Sequence, residues 1–133
     1  MIEKKQKTQI AHYCKQDENI VAVYLFGSRA GKDYTLQSDI DLAVLLRTGK
    51  NSFDLLGFIV TMERMLKLPV DAVILNRAGE VLKFQVRLHG VLMYERDAKL
   101  RKQFEIMSRK SYEDFIYLHR RYIRHTLYGE LNG

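Results

Sequence analysis

Two short apolar runs separated by a polar segment constrain the fold of this chain more than any other feature. The runs are YLF at residues 24–26 and IDLAVLL at residues 40–46, within the stretch YLFGSRAGKDYTLQSDIDLAVLL. Short apolar and β-branched runs bounded by Gly, Ser and Asp are typical of buried strands rather than helices. The sequence therefore predicts two strands, with the polar residues that could perform chemistry at their ends.

Two aspartates, Asp39 and Asp41, open the second run. Because side chains alternate between the two faces of a strand, both carboxylates should point the same way. Unpaired carboxylates at that distance destabilise each other unless a cation lies between them. Mg²⁺ is such a cation, since it binds protein carboxylates together with water and phosphate oxygens. Taken alone, the pair could also be a strand end that meets solvent.

The Gly27-Ser28 pair follows the first run and offers groups that suit a phosphate. Glycine lets the backbone approach closely, and the serine hydroxyl and backbone N–H groups can donate to phosphate oxygens. The segment GSRAGK at residues 27–32 is not a P-loop. It has one residue too few between its glycines, and Asp33 stands where Ser or Thr should follow the lysine.

The pattern G-S, ten residues, D-x-D resembles the signature of the polymerase-beta-like nucleotidyltransferases, and specifically of the minimal nucleotidyltransferase (MNT) group. The family pattern includes a third carboxylate on a neighbouring strand, for which Asp71 in LPVDAVIL is the natural candidate. The resemblance implies that three carboxylates are catalytic and hold one or two Mg²⁺ ions: Asp39, Asp41 and Asp71. It also implies that Gly27 and Ser28 anchor the phosphates of ATP.

Two basic residues close to the Gly-Ser pair are further candidates for contact with the triphosphate. Arg29 follows Ser28 directly, and Lys32 lies three residues beyond. A solvated loop charge is the alternative interpretation of both.

The composition limits the class of protein. A chain of 133 residues with 47% hydrophobic and 29% charged residues is typical of one globular domain, and no apolar run is long enough for a membrane span or a signal peptide. A single cysteine, Cys14, excludes an internal disulfide and favours a cytoplasmic location and a core position. The net charge of +6 suits an anionic partner, but no motif indicates sequence-specific binding of nucleic acid.

Alternating strand and helix patterns predict an α/β fold. We expect helices at about 2–15 and from 50–52 to just before Pro69, strands at 20–26, 40–46 and 70–75, and a helical turn at 29–34. The second helix is indicated by residues that repeat at intervals of three and four: Phe53, Leu56, Ile59, Val60, Glu63 and Leu66. The resemblance implies a small mixed sheet with flanking helices, in which the Asp41 and Asp71 strands are neighbours.

The segment VLKFQVRL at residues 81–88 favours a strand, because Leu82, Phe84, Val86 and Leu88 alternate strictly with polar residues. Chains that resemble this one have a helix here, followed by glycine and a short edge strand. We expect the helix, with GVLMYERD at residues 90–97 forming the edge strand.

No Gly or Pro interrupts residues 98–128, which predicts one long terminal helix or two abutting helices. Its expected buried stripe is Leu100, Phe104, Met107, Ser111, Phe115, Leu118 and Tyr122. Further apolar residues lie on other faces: Tyr112, Ile116, Tyr117, Ile123 and Leu127. This excess is typical of a partner surface, or of a helix buried on two sides within its own domain or a homodimer.

Other polar residues give weaker signals. Four histidines lack metal-ligand spacing and are expected to be surface or partly buried residues: His12, His89, His119 and His125. Arg120 and His125 form an R-x4-H pair that resembles the active-site motif of HEPN ribonucleases. That family is an all-helical domain, so we interpret this match as chance.

The resemblance covers nearly the whole chain and implies one domain, residues 1–133, with a catalytic part and a partner-binding part. Residues 1–97 would be the catalytic core, and residues 98–133 a terminal helix that binds a partner. Chains of this kind are antitoxins that pair with HEPN ribonuclease toxins and transfer AMP from ATP to a tyrosine of the toxin. A dimeric small-molecule nucleotidyltransferase of the aminoglycoside type and a catalytically silent binding antitoxin remain alternatives. The intact set of three carboxylates argues against the silent one.

Overall fold

The structure is a computed structural model that describes residues 3–30, 39–47 and 52–128. Strands and helices alternate along the chain, and the predicted α/β class is confirmed. In chain order the elements are α1 (Lys4–Lys15), β1 (Ile20–Phe26), β2 (Ile40–Leu46), α2 (Leu55–Leu66), β3 (Val70–Ile74), α3 (Glu80–His89), β4 (Val91–Glu95) and α4 (Ala98–Ile123). Two 3₁₀ turns cover Gly27–Ala30 and Leu75–Arg77, and a wider helical turn, Arg124–Tyr128, continues α4.

The strands form one mixed sheet with the order β3-β2-β1-β4. β1 is antiparallel to both β2 and β4, whereas β2 and β3 are parallel. The parallel pairing sets Asp41 directly beside Asp71 in register. The expectation that these two strands are neighbours is therefore confirmed.

Each face of the sheet carries its own apolar core, because side chains alternate along every strand. On one face Ile40, Leu42 and Val44 of β2 pack with residues of α1 and α2. On the other face Ala43 and Leu45 pack with residues of α3 and α4. Cys14 lies in the first core, as expected, and burial followed by the charge of Asp17 raises the pKa of its thiol to about 12.

The ambiguous segment at residues 81–88 is helical, as the resemblance implied, and β4 after it is an edge strand. The alternating pattern does not correspond to alternating burial, because Val86 is buried while Leu88 is exposed. Packing of α3 against β1 and α4 therefore overrides the local strand pattern.

The predicted start of α2 at residues 50–52 is wrong. Asp54 is the N-cap, and its side chain accepts a hydrogen bond from the N–H of Gly57 at 2.9 Å, so the helix begins at Leu55. Residues 50 and 51 lie outside the described ranges. The helix ends before Pro69 as predicted, with Lys67 in the left-handed conformation at φ 59°.

The helical repeat predicted for α2 corresponds only in part to its buried side. Leu66 is buried, whereas Leu56 is 71% exposed and Val60 is exposed. The other buried residues of this helix, Phe58 and Met62, lie outside the repeat.

Two smaller expectations are corrected. β3 ends at Ile74 rather than at residue 75, because Leu75 begins a 3₁₀ turn. The helical turn expected at 29–34 occupies Gly27–Ala30, and residues 31–34 lie outside the described ranges.

The long terminal helix is confirmed, but its stripe is buried only at the start. Leu100 and Phe104 pack against the core, and Ser108 is buried. The other apolar residues of the expected stripe are exposed: Met107, Phe115, Leu118 and Tyr122. With 26 residues α4 is about 39 Å long, whereas strands of five to seven residues span only about 17–23 Å. The outer half of α4 therefore extends past the sheet. Within the described ranges, no helix is long and apolar enough to cross a membrane.

Candidate functional site

The turn after β1 lies directly against a carboxylate of β2. Register places Phe26 opposite Asp41, so Gly27 follows at the same edge of the sheet. Gly27 has φ +73°, and a Cβ atom built there would lie 2.3 Å from Oδ2 of Asp41. Only glycine fits this position, because both the conformation and the space exclude a side chain.

Three carboxylates meet beside this turn. Asp41 stands in register with Asp71, and Asp39 precedes β2 by one residue. Burial raises the pKa of Asp41, and the negative charges of Asp71 and then Asp39 raise it further. The sheet therefore sets Asp71 beside Asp41, and Asp39 is close enough for its charge to act on the same carboxyl group.

The site opens toward α3. Asp41 has the same parity along β2 as Ala43, which packs in the core beneath α3 and α4. Beside Gly27 lies a cavity of about 560 Å³ whose lining residues are Phe26, Gly27, Ala30, Leu82, Gln85 and His89. This volume is sufficient for a nucleoside or an aromatic side chain.

Sequence reasoning missed the α3 wall of this cavity. It treated His89 only as a surface histidine, and it did not single out Gln85 or Leu82. The signal was present, because positions 82, 85 and 89 share one side of a helix. It could be used only after the segment had been interpreted as a helix.

The donor set suits Mg²⁺, which prefers carboxylate oxygens. Oδ1 of Asp71 accepts a hydrogen bond from the N–H of Ala72 at 2.9 Å, which leaves Oδ2 for another partner. In the part of the chain that the structure describes, no three His, Cys, Asp or Glu side chains already form a cluster that could hold a metal. Burial, followed by the charges of Asp71 and Asp39, raises the pKa of Asp41, and a cation bound beside these carboxylates would favour its ionised form.

The remaining candidates for contact with phosphate are Ser28, Arg29 and Lys32. Ser28 lies in the 3₁₀ turn, but its side chain is outside the described structure, and so is the whole of Lys32. Arg29 is only 3% exposed, so its interpretation as a solvated loop charge is wrong. Arg29 belongs to the same 3₁₀ turn as Gly27, and this turn contacts both β1 and β2.

A left-handed glycine turn against an aspartate, next to a second aspartate in parallel register, fits the nucleotidyltransferase class that the sequence resembles. The family model of the polymerase beta nucleotidyltransferase domain matches residues 8–99. This match covers more than half of the chain, which therefore belongs to that family. No curated protein matches the sequence of the chain.

Solved structures share the fold over almost the full length. A toxin-antitoxin complex with AMP-PNP has a TM-score of 0.70 at 20% identity, with 99% of this chain and 100% of that chain covered. The complex of a tri-AMPylated Shewanella oneidensis HEPN toxin with its MNT antitoxin has a TM-score of 0.68 at 20% identity, with 99% and 100% covered. A structure described as a minimal nucleotidyltransferase has a TM-score of 0.55 at 24% identity, with 66% and 89% covered.

Proposed function

We propose that this chain is an antitoxin that transfers AMP from ATP to a tyrosine of a HEPN ribonuclease toxin and thereby blocks the toxin. The observation that carries the proposal is the contact of Gly27 with Asp41 beside Asp71, an arrangement with no evident structural purpose. The fold shared with a toxin-antitoxin complex that contains AMP-PNP, and with one that contains an AMPylated HEPN toxin, supports this substrate and this partner. Both are expected in the cytoplasm.

The chemical step would be an in-line displacement at the α-phosphorus of ATP. The tyrosine oxygen forms the new bond to phosphorus, the bond from phosphorus to the oxygen that bridges the α- and β-phosphates breaks, and pyrophosphate leaves. The phenolic proton passes to Oδ2 of Asp71, the oxygen that Ala72 does not occupy.

The residues of the chain would mainly bind and orient the reactants. Backbone N–H groups of Gly27 and Ser28 would donate to the terminal phosphates, with the charge of Arg29 close by. Mg²⁺ held by Asp39, Asp41 and Asp71 would neutralise the charge on the phosphate oxygens. The cavity wall formed by Gln85 and His89 would receive either the nucleoside or the acceptor tyrosine.

Intact mass spectrometry of the cognate HEPN toxin tests the proposal. The toxin is incubated with this protein, Mg²⁺ and each of the four ribonucleoside triphosphates in turn. We expect a mass gain of one or more AMP units with ATP. The Asp39→Asn, Asp41→Asn variant should lose at least roughly a thousandfold in rate, because several kcal/mol of charge stabilisation are removed.

The same experiment separates the alternatives. A stable complex with no mass gain from any nucleotide would contradict the proposal and identify a silent binding antitoxin. Transfer of a nucleotide to an aminoglycoside but not to the toxin would identify a small-molecule enzyme. Gel filtration of the double variant with the toxin is the control, since loss of binding would explain a loss of transfer trivially.

A further inference from the structure

The outer half of α4 continues a buried stripe into open solvent. Leu100 and Phe104 begin this stripe in the core. Positions 107, 111, 115, 118 and 122 continue it at intervals of three and four residues, so they lie on the same side of the helix. Met107 is 68% exposed, Leu118 is 61% exposed and Tyr122 is 66% exposed. The sequence is therefore patterned for burial, while residues 3–30, 39–47 and 52–128 leave this part of the stripe exposed.

A cavity of about 580 Å³ lies at the inner end of the exposed stripe. Its floor includes Val21, Leu45 and Leu46 of the sheet, and its wall includes Met107 and Ser111 of α4. The floor is held in place, because the side chain of Asn76 accepts from the N–H of Leu46 at 2.8 Å and donates to its carbonyl oxygen at 2.9 Å. We call this cavity, together with the stripe through Phe115, Leu118 and Tyr122, the α4 groove.

The α4 groove lies away from the carboxylates. Leu46 is at the opposite end of β2 from Asp41, five residues and about 17 Å along the strand. The groove is thus separate from the site of the proposed chemistry. Whatever occupies it can contribute binding energy without touching the reacting atoms.

Charge indicates what kind of molecule fits. Arg47 and Lys83 line the cavity, and Arg121 lies beside the outer stripe. Two acidic residues lie close to these cavity cations: Oε1 of Glu80 is 3.8 Å from Nζ of Lys83, and Nε of Arg47 donates to the carbonyl oxygen of Glu18 at 2.8 Å. α4 as a whole carries seven Lys and Arg against three Asp and Glu, which accounts for most of the net charge of +6. A second copy of this chain would bring the same positive charge against the groove, whereas an acidic partner would be attracted.

We propose that the α4 groove anchors the acceptor protein through a helix whose apolar face is flanked by carboxylates. A stripe at positions i, i+4, i+7 and i+11 that ends in a cavity matches the way in which an amphipathic helix binds a groove. This proposal rests on the proposed function for the identity of the acceptor, the HEPN toxin. It adds where the toxin is held, which is remote from the residues that transfer AMP.

The test compares the same substitution at two exposed leucines, one inside the groove and one outside it. Leu118→Glu places a negative charge in the groove, while Leu56→Glu does the same on α2, across the sheet. We expect Leu118→Glu to weaken the affinity for the toxin at least about tenfold by calorimetry, and Leu56→Glu to change it less than about twofold. The KM for the toxin should rise in parallel, while kcat and the KM for ATP stay unchanged.

Charge reversal provides a second measurement. Arg121→Glu should slow association with the toxin and reduce its dependence on salt, because attraction to an acidic face is lost. Association that is insensitive to both salt and this substitution would overturn the acidic character of the occupant.

The outcomes separate the docking proposal from the proposed function. Normal toxin affinity of Leu118→Glu would overturn the docking proposal even if AMP transfer is observed. A wild-type chain that binds the toxin in a Leu118-dependent manner without transferring AMP would retain the docking surface and reject the enzymatic function. A free chain that is dimeric by light scattering, and that becomes monomeric in Leu118→Glu, would overturn the proposal in favour of a second copy as the occupant.

Discussion

At the residue scale, the contact between the backbone of Gly27 and the carboxylate of Asp41 leaves no space for a side chain at position 27. The glycine adopts a left-handed conformation, and any Cβ atom would overlap Oδ2 of the aspartate. Gly79, by contrast, has open space around the position where a Cβ would be placed. These two glycines therefore form a matched pair in which one is constrained by the site and the other is not.

We expect Gly27→Ala to lower the free energy of unfolding by about 1–3 kcal/mol, because it adds both backbone strain and a steric conflict. AMP transfer should also fall sharply, since Asp41 must move. Chemical denaturation and the transfer rate measure the two effects. Gly79→Ala is the control and should change neither by much, and equal effects of both substitutions would contradict this view of the turn.

Arg29 illustrates the limit of local reasoning at this scale. An arginine in a loop of glycine, serine and lysine is expected to be solvated, yet it is almost fully buried. The difference arises because the 3₁₀ turn Gly27–Ala30 folds back on the end of the sheet. No pattern in the neighbouring residues indicates that fold.

At the scale of elements, a polar network joins β1 and β4 to α4. The hydroxyl of Tyr24 donates to Oε1 of Glu105 at 2.6 Å, and Nη1 of Arg101 donates to the same oxygen at 2.9 Å. Nε of Arg101 also donates to Oε2 of Glu95 at 3.1 Å. Burial raises the pKa of Tyr24, and its hydrogen bond to Glu105 raises it further. The network fixes the inner half of α4, from which the outer half projects.

We expect Tyr24→Phe to destabilise the fold by about 1 kcal/mol, because the partly buried carboxylate of Glu105 loses one of its donors. The destabilisation should appear in chemical denaturation, with little change in AMP transfer by the folded protein. Tyr117→Phe is the matched control, since that side chain is exposed on α4 and its loss of a hydroxyl should be neutral. A neutral Tyr24→Phe would show that Arg101 alone satisfies Glu105.

The helices also show what periodicity leaves open. It indicated α2 and α4 correctly, but only part of the repeat in α2 is buried, and the buried stripe expected for α4 was too long. Which residues of α2 are buried depends on how the helix packs on the sheet, and the exposure of α4 depends on the length of the sheet. A helical pattern predicts that some surface will be covered, but it does not tell whether the same chain covers it.

At the scale of the whole molecule, the carboxylate cluster opposes stability. The raised pKa of Asp41 means that its ionised form is less favourable in the folded chain than in the unfolded chain. Below the ordinary pKa of 3.8 the carboxyl is protonated in both states and exerts no penalty. As the pH rises through the raised pKa, the ionised group begins to reduce the free energy of unfolding.

We therefore expect Asp41→Asn to raise the Tm by a few degrees near neutral pH, with the gain disappearing as the pH falls below 3.8. Mg²⁺ with AMP-PNP should raise the Tm of the wild-type chain but not that of Asp39→Asn, Asp41→Asn. Differential scanning fluorimetry across pH measures both effects. Asp114→Asn on exposed α4 is the control, and a lower Tm for Asp41→Asn at neutral pH would contradict the prediction.

Apart from α3, whose local pattern favoured a strand, the sequence by itself determined the elements, their order and the residues of the candidate site, because apolar periodicity and the G-S, D-x-D spacing are local properties. It even placed Asp71 next to Asp41, through the resemblance to a family with that strand order, and the register of β2 and β3 confirms it. Only the tertiary structure decided the α3 wall of the site, the burial of Arg29 and the exposure of the outer stripe of α4. Each of these depends on distances between residues far apart in the chain, and such distances are set by how layers of different length pack together.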